Sequence, residues 1–348
     1  MLPHRRNAVL FDWPYHTVSG RSLGGDPRRN QLDALARADL VIVSSSHTAE
    51  LLTAAGISPV VEAPPPVGLA ADLATTPPIG AGEAPEQFSA PVWACSGGAP
   101  GLRSHRLTSF MGLRPGPMFI AAVNPFRERA SLKALVSAAA ALERGKLLIA
   151  LDLETNRASL QVARGLLGLD DLASEIGERL GFLAQPIDGT DRKRLAAAAD
   201  FVVAPSGGAA GGTAGAGVWS GPLPLLQAMA AGAVPVAPSC PPLWDWACTE
   251  TAILCRAERR AVARDATSLG VPGLFEWAAA PAALADAFRR AEAMAPGYAA
   301  ERARRASARA AERASDEVVA ERLAKACGWP APPPRGRQPF ERRGTAVA

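Results

Sequence analysis

The stretch from residue 199 to residue 237 constrains the fold of this chain more than any other. Its first apolar run, Phe201 to Ala204, is continuous and ends at a proline, which is typical of a strand buried on both faces. A loop with seven glycines among residues 207 to 221 follows, and two prolines then open an apolar segment that ends at Gly232. Proline in the first turn and glycine after the last one indicate a short helix. Since Val234 to Ala237 is typical of a second buried strand, the stretch predicts a unit that directs backbone N–H groups and a positive helix end towards an anion.

The same alternation of strands and helices occurs in two blocks of the chain. Residues 8 to 62 contain three short apolar runs, near residues 9, 41 and 60, separated by helical segments. Residues 117 to 256 contain a longer series of the same kind. Alternating strands and helices predict α/β domains with parallel sheets, one small and one complete.

The chain is long enough for two domains, because its 348 residues exceed one ordinary core. Ten prolines and eight glycines among residues 64 to 117 indicate a linker between them. The predicted boundaries are a short N-terminal Rossmann-like domain (1–63), a Pro/Gly-rich linker (64–116), a C-terminal Rossmann domain (117–298), a C-terminal helix (299–329) and a disordered basic tail (330–348).

Composition excludes several classes of protein. Hydrophobic residues make up 48% of the chain and charged residues 20%, which indicates a globular protein. The absence of a long apolar run and of a signal peptide predicts a soluble, unsecreted chain. The five cysteines form no CxxC pair and are odd in number, which favours reduced thiols and a cytoplasmic location.

Charged and metal-binding residues show no specialised pattern. The histidines are scattered and no DxD motif occurs, so we expect no metal site. The few aromatic residues do not alternate with basic ones, which argues against a nucleic-acid partner. Four arginines in the last 18 residues indicate a solvated tail, and membrane contact is expected to be peripheral at most.

Two segments resemble a known family. The text "ADFVVAPS … GPLPLLQAMAAGAVPVAP" resembles the nucleotide-sugar-binding segment of the retaining, family-4 type glycosyltransferases, with a dense match from Leu223 to Val236. The text "RADLVIVSSSHTAELLTAAGISPVVEAPPPV" is similar to the end of the first domain in that family. The resemblance implies a GT-B-like fold with two Rossmann-type domains, diverged and with a shortened N-terminal, acceptor-side domain. The C-terminal domain would then bind the nucleotide sugar.

The resemblance also implies binding residues. The family motif E-R-K-N falls on residues 128 to 131, so Arg129 would face the diphosphate, while the family's lysine is Ala130. Gly221 and Leu223 would lie at the nucleotide sugar. The alternative for Arg129 is a solvated arginine at a helix start.

The paired glutamates of the family are absent from this chain. Their positions fall on Trp219 and Gln227, and residues 205 to 235 contain no Asp or Glu. Gln227 could still bind a ribose hydroxyl through its amide. The alternative is a polar surface residue on a short helix. Equally, the glycine loop is either an anion-binding nest or only a flexible connection.

His16 follows the first predicted strand, where family members often carry a histidine that faces the donor sugar. The resemblance therefore implies a catalytic role for His16, although a lone histidine is usually structural. His47 and His105 have no comparable context. Asp245, between two tryptophans, is expected either to support the site or to cap the segment that follows it.

The leading functional prediction is a metal-independent glycosyltransferase that transfers a sugar from a nucleotide-diphosphate sugar to a glycan or lipid-linked acceptor. It would use no bound cofactor and act in polysaccharide or glycoconjugate assembly. The alternative is a catalytically degenerate, transferase-like binding or scaffold subunit that works with a partner transferase. A nucleotide-dependent oxidoreductase ranks third, because no dinucleotide fingerprint follows any strand.

Overall fold

The computed structural model describes most of the chain. The described residues are 7–13, 15–18, 20, 30–68, 90–94, 102–113, 115–123, 128–151, 176–184, 189–207, 223–262 and 273–330. Their strands are β1 (Ala8–Leu10), β2 (Leu40–Val43), β3 (Val60–Glu62), β4 (Val92–Ala94), β5 (Arg103–His105), β6 (Met118–Val123), β7 (Lys146–Leu151), β8 (Leu180–Leu183), β9 (Phe201–Val203), β10 (Val234–Pro238), β11 (Ile253–Cys255), β12 (Ala257–Ala261) and β13 (Phe275–Ala279). Their α-helices are α1 (Gln31–Ala36), α2 (Ser46–Ala54), α3 (Leu107–Leu113), α4 (Arg129–Ala139), α5 (Gly189–Ala197), α6 (Leu223–Ala230), α7 (Pro281–Glu292), α8 (Pro296–Ala314) and α9 (Asp316–Cys327).

The small N-terminal sheet is parallel, with strand order β1-β2-β3. All four residues of β2 are buried, as its continuous apolar run predicts. Three consecutive serines, residues 44 to 46, offer an N-cap for α2. The Ser45 hydroxyl takes this role and accepts a hydrogen bond from the N–H of Thr48 at 3.3 Å. It ends before Gly56, whose φ of 81° suits glycine. The predicted small sheet is confirmed.

The large sheet has strand order β11-β10-β9-β6-β7-β8-β4-β5. Its first six strands, β11 to β8 in that order, are mutually parallel. Two separate groups of buried apolar side chains, covered by helices, pack on the sheet. The predicted complete parallel sheet is therefore confirmed.

The region predicted as a linker differs from the prediction in its second half. Strands β4 and β5 extend the large sheet in the antiparallel direction, with β4 paired to β8. Phe110 on α3 is fully buried, and a side chain at Gly181 would come within 2.8 Å of its ring. The buried ammonium of Lys146 donates to the carbonyls of Phe110 and Met111. The second half of the predicted linker therefore contains two strands of the large sheet and a helix beside them.

The two-stranded antiparallel hairpin β12–β13 lies between the last parallel strand and α7. The sequence analysis did not predict it. Its second strand contacts the segment after β9: the N–H of Gly207 donates to the carbonyl of Trp277 at 2.7 Å, and Ser206 bridges to Ala278. The hairpin is thereby attached to the carboxyl edge of the large sheet.

The predicted C-terminal helix is two helices, α8 and α9, which meet at Ser315. Helical spacing of alanines predicts a packed face on α8, and these alanines are buried at Ala299, Ala303, Ala306 and Ala310. Arg302 is half-buried and donates to the carbonyl of Ala252. Helix α9 packs through Val319 on the small sheet, so the chain ends by crossing back to its N-terminal part. Residues 331–348 of the predicted disordered tail lie outside the described residues. Among the described helices, none is long and apolar enough to span a membrane.

Candidate functional site

The strand order of the large sheet reverses between β6 and β9. From β6 the chain adds β7 and β8 on one side, and then β9, β10 and β11 on the other. Because these strands are parallel, their carboxyl ends share one edge. Open α/β sheets bind ligands outside that edge, where the strand order reverses. The crevice at the carboxyl ends of β6 and β9 is therefore the candidate site.

Three predicted binding residues lie on the helices that follow these two strands. Arg129 is the first residue of α4, after β6, and Leu223 is the first residue of α6, after β9. Arg129 is exposed, whereas Leu223 and Gln227 are half-buried. Gly221 lies outside the described residues. The structure thus brings Arg129 and α6 to the same edge of the sheet, and their contacts with a nucleotide sugar stay predictions.

His16 contacts the hairpin through one residue, Phe275. The N–H of Phe275 lies 3.2 Å and its carbonyl 3.3 Å from Nδ1 of His16, and the N–H of His16 lies 3.4 Å from the same carbonyl. The two rings meet edge to face, with centroids 5.3 Å apart. Nδ1 can therefore accept from the backbone N–H or donate to the carbonyl, according to the tautomer of the ring. The catalytic role of His16 stays a prediction.

The hairpin connects three parts of the site. Its strand β13 contacts His16, and the carbonyl of Trp277 accepts from the segment after β9. On the other side, Arg260 pairs with Glu276 at 2.5 Å and donates to Ser131 in the first turn of α4 at 3.0 Å. The sequence carries little signal for the hairpin, because β12, "AERRA", shows no alternation of apolar and polar residues.

Buried and half-buried polar groups line the carboxyl edge of the small sheet. Asp12, which is half-buried, accepts a hydrogen bond from the Ser44 hydroxyl at 2.7 Å and from the N–H of Trp13 at 3.1 Å. Desolvation of its carboxyl raises the pKa of Asp12 to about 6. The buried His47, for which the sequence indicates no role, lies 3.0 Å through Nε2 from the carbonyl of Tyr15, and burial lowers its pKa. Two titratable groups with shifted pKa values therefore lie at this edge.

The raised pKa of Asp12 predicts a specific dependence of stability on pH. The unfolded chain loses this proton near the ordinary pKa of 3.8 and the folded chain near 6, so the free energy of unfolding falls as the pH rises between these values. Asp12→Asn stays neutral and keeps an acceptor for Ser44. We expect it to be more stable than the wild type at pH 8 by about 2 kcal/mol, since partial exposure of Asp12 reduces the full effect of the shift. Urea unfolding at pH 4 and pH 8 measures this, and parallel pH profiles of the two proteins would contradict it.

Asp245 joins the two sheets. Its carboxylate accepts from the N–H of Ser46 at 2.8 Å and from the Ser46 hydroxyl at 2.9 Å, at the start of α2. Arg313 on α8 donates to the same carboxylate at 2.9 Å and to Glu62 of β3 at 2.6 Å. Asp245 thus caps α2, in the N-terminal part of the molecule, and its support of the site stays a prediction.

The described part of the chain contains four cysteines. Cys240 and Cys255 are buried, and Cys248 and Cys327 are half-buried. Burial raises the pKa of Cys240 and of Cys255 to about 12, so neither is a nucleophile at neutral pH. Within the described ranges, His, Cys, Asp and Glu side chains form no group of three or more that could hold a metal ion.

Comparison with solved structures identifies the fold. The chain superposes on sucrose-phosphate synthase from Thermosynechococcus elongatus with a TM-score of 0.56 and 18% identity, covering 92% of this chain and 67% of that one. HepE from Anabaena, in complex with UDP and glucose, gives 0.56 and 16%, covering 93% and 72%. The trehalose-6-phosphate synthase OtsA gives 0.59 and 10%, covering 93% and 68%. The chain has a GT-B-like fold.

These structural neighbours are GT-B glycosyltransferases, and their low identity to the chain makes them a guide to the fold alone. No protein-family model and no curated protein sequence matches the chain. In a GT-B-like fold the crevice lies between the two sheets, which is where His16, the hairpin and the helices after β6 and β9 are found.

Proposed function

We propose that this chain is a glycosyltransferase that binds a nucleotide-diphosphate sugar in the crevice at the carboxyl ends of β6 and β9. The observation that carries this proposal is the meeting of His16, the hairpin and the exit of β9 at the point where the strand order reverses. The solved complexes of HepE with UDP-glucose and with UDP and glucose support the choice of donor. The resemblance of the α6 segment of this chain to the nucleotide-sugar-binding segment of the retaining, family-4 type glycosyltransferases supports that type.

Each proposed residue has a separate task in this reaction. Arg129 neutralises the leaving diphosphate from the start of α4, where its charge-assisted hydrogen bonds suit phosphate oxygens. Gln227 binds the ribose, and the imidazole of His16 faces the donor sugar. The transfer is metal-independent, because cations and helix ends act on the diphosphate. The acceptor is a glycan or lipid-linked glycan in polysaccharide or glycoconjugate assembly, at a cytoplasmic location.

A second candidate function follows from the missing carboxylates. Residues 205 to 235 contain no Asp or Glu, so two charged groups that the resemblance would place at the donor are absent. Preorganised charges of this kind typically contribute about 3–4 kcal/mol each to lowering a reaction barrier. A chain without them would bind a nucleotide sugar without turnover and serve as a binding or scaffold subunit beside a partner transferase.

Calorimetry with UDP, GDP and ADP in the presence of EDTA tests the shared part of both candidates. Replacing Arg129 by alanine is expected to weaken the binding of the preferred diphosphate about ten- to hundredfold, because a charge-assisted contact worth about 1.5–3 kcal/mol is lost. Arg289→Ala, an exposed arginine on α7 that pairs with Asp286, is the matched control and should bind as the wild type does.

The two candidates differ in turnover. Transfer or hydrolysis of the matching nucleotide sugar by the purified chain, above the background rate, assigns it as an enzyme. Binding without turnover favours the scaffold subunit. If no nucleoside diphosphate binds, the proposed donor site is wrong.

A further inference from the structure

The hairpin β12–β13 has two chemically different faces. Its register pairs Arg259 with Trp277 and Arg260 with Glu276, so neighbouring positions alternate between the faces. One face carries Ala257, Arg259, Ala261, Phe275, Trp277 and Ala279. The other face carries Glu258, Arg260, Glu276 and Ala278, and so holds both carboxylates of the two strands. The first face therefore has a positive charge with no acidic residue of β12 or β13 beside it.

Arg259 is held in place without being neutralised. Its Cζ lies 5.1 Å from the ring centroid of Phe275 and 5.7 Å from that of Trp277, which are cation–π distances. The residue is exposed, and no acidic side chain of the described ranges pairs with its guanidinium. Arg260, in contrast, is bound by Glu276 and Ser131. The N–H groups of Arg259 therefore remain available to an anion.

A second polar group on this face lacks a partner. The Nε1 of Trp277 is buried and has no acceptor among the described residues. Buried donors are almost always hydrogen-bonded in folded proteins, so this N–H requires an acceptor other than those the described residues provide. An oxygen-rich ligand beside Arg259 would supply that acceptor.

The position of this face places such a ligand at the candidate site. Phe275, which contacts Arg259, is bonded to His16, and the ring centroids of Phe275 and His16 are 5.3 Å apart. The carbonyl of Trp277 accepts a hydrogen bond from the N–H of Gly207, in the segment that follows β9. The face therefore borders both the N-terminal side of the crevice and the point where the strand order reverses.

We propose that Arg259, with the Nε1–H of Trp277, forms an anion subsite that binds the diphosphate of a nucleoside-diphosphate donor. The inference rests on the proposed function for the identity of the ligand. A diphosphate carries more than one negative charge, and the planar guanidinium matches two phosphate oxygens at once. Arg259 would then contribute to binding of the diphosphate in addition to Arg129.

Titration of three variants with UDP, GDP, ADP and inorganic pyrophosphate tests the subsite. Arg259→Ala is expected to weaken binding of the preferred diphosphate and of pyrophosphate about tenfold or more, and to leave the affinity for the matching nucleoside unchanged. Trp277→Phe keeps the ring for Arg259 and removes the N–H, so a smaller loss is expected. Arg256→Ala is the control. It removes an exposed positive charge just before β12, on the face of the hairpin opposite to Arg259, and should bind as the wild type does.

The outcomes separate this inference from the proposed function. If the wild type binds a diphosphate and Arg259→Ala binds it equally well, the subsite is wrong while the proposed function stands. If no nucleoside diphosphate binds, the proposed function is wrong, and pyrophosphate alone decides the subsite. Binding of pyrophosphate by the wild type and Arg256→Ala, with loss in Arg259→Ala, supports it. Failure of the wild type to bind pyrophosphate as well overturns it.

Discussion

Replacing Glu292 by alanine is expected to lower the free energy of unfolding by about 4 kcal/mol, the largest effect among the predicted variants. Glu292 ends α7, and its carboxylate is 8% exposed. It accepts the backbone N–H groups of Glu143 and Arg144, each at 2.9 Å, and that of Gly145. Without the carboxylate three donors in the turn before β7 lose their acceptor. The estimate is below the sum of three charged hydrogen bonds, because water can reach part of this turn.

Two further variants make the test of Glu292 specific. Glu292→Gln keeps one acceptor oxygen but turns an amide NH₂ group towards a backbone donor. We therefore expect its free energy of unfolding to lie between that of the wild type and that of Glu292→Ala. Glu301→Ala removes an exposed carboxylate of α8 that pairs with Arg304 and Arg305, and it should change the urea midpoint little. Equal urea midpoints for Glu292→Ala and Glu301→Ala would refute the role given to Glu292.

The parallel sheets could be predicted because their strands are continuous apolar runs. Phe201 to Val203 and Val234 to Pro238 are buried throughout, and proline and glycine mark the helix between them. Burial on both faces leaves a strong signal in the sequence, since every position must be apolar. The N-cap of α2 at Ser45 could be predicted for a similar reason, because capping depends on neighbours in sequence.

Elements that depend on distant partners could not be predicted. Strand β4 is only three residues long, and its identity as a strand depends on pairing with β8, far away in the sequence. The strands of the hairpin are largely half-buried or exposed. They therefore contain charged residues such as Glu258 and Arg259 and lack the apolar pattern by which a strand is predicted. The break at Ser315 depends on Asp316, whose N–H and carboxylate bond the backbone of Gly68.

The candidate site divides in the same way. Sequence could place Arg129, Leu223 and Gln227 on the helices that follow β6 and β9, because local patterns define those helices. It could not find Arg259, whose importance comes from Phe275 and Trp277 across the hairpin. His16 is intermediate: its position after β1 is readable, whereas its hydrogen bond to β13 is not.

The carboxylate of Asp245 links the two sheets. Among the described residues, Asp245 accepts from Ser46 on the N-terminal side and from Arg313 on α8, which itself bonds Glu62 of β3. Because several partners from different parts of the chain depend on this one carboxylate, Asp245 is expected to matter for stability.

Replacing Asp245 by alanine is expected to lower the free energy of unfolding by about 3 kcal/mol. The Asp245 side chain is 8% exposed, so its loss leaves the N–H of Ser46 and one side of Arg313 without a partner inside the protein. The value lies at the low end for a buried pair, because Arg313 keeps Glu62. Asp245→Asn retains an acceptor for Ser46 and should lose less stability.

Asp286→Ala, which breaks an exposed pair with Arg290 on α7, is the control and should change the free energy of unfolding by less than about 0.5 kcal/mol. Urea unfolding of the three variants, followed by tryptophan fluorescence, measures the differences. If Asp245→Ala were no less stable than Asp286→Ala, the link between the two sheets would have to lie elsewhere, in the contacts of His16 with Phe275 or of α9 with β3.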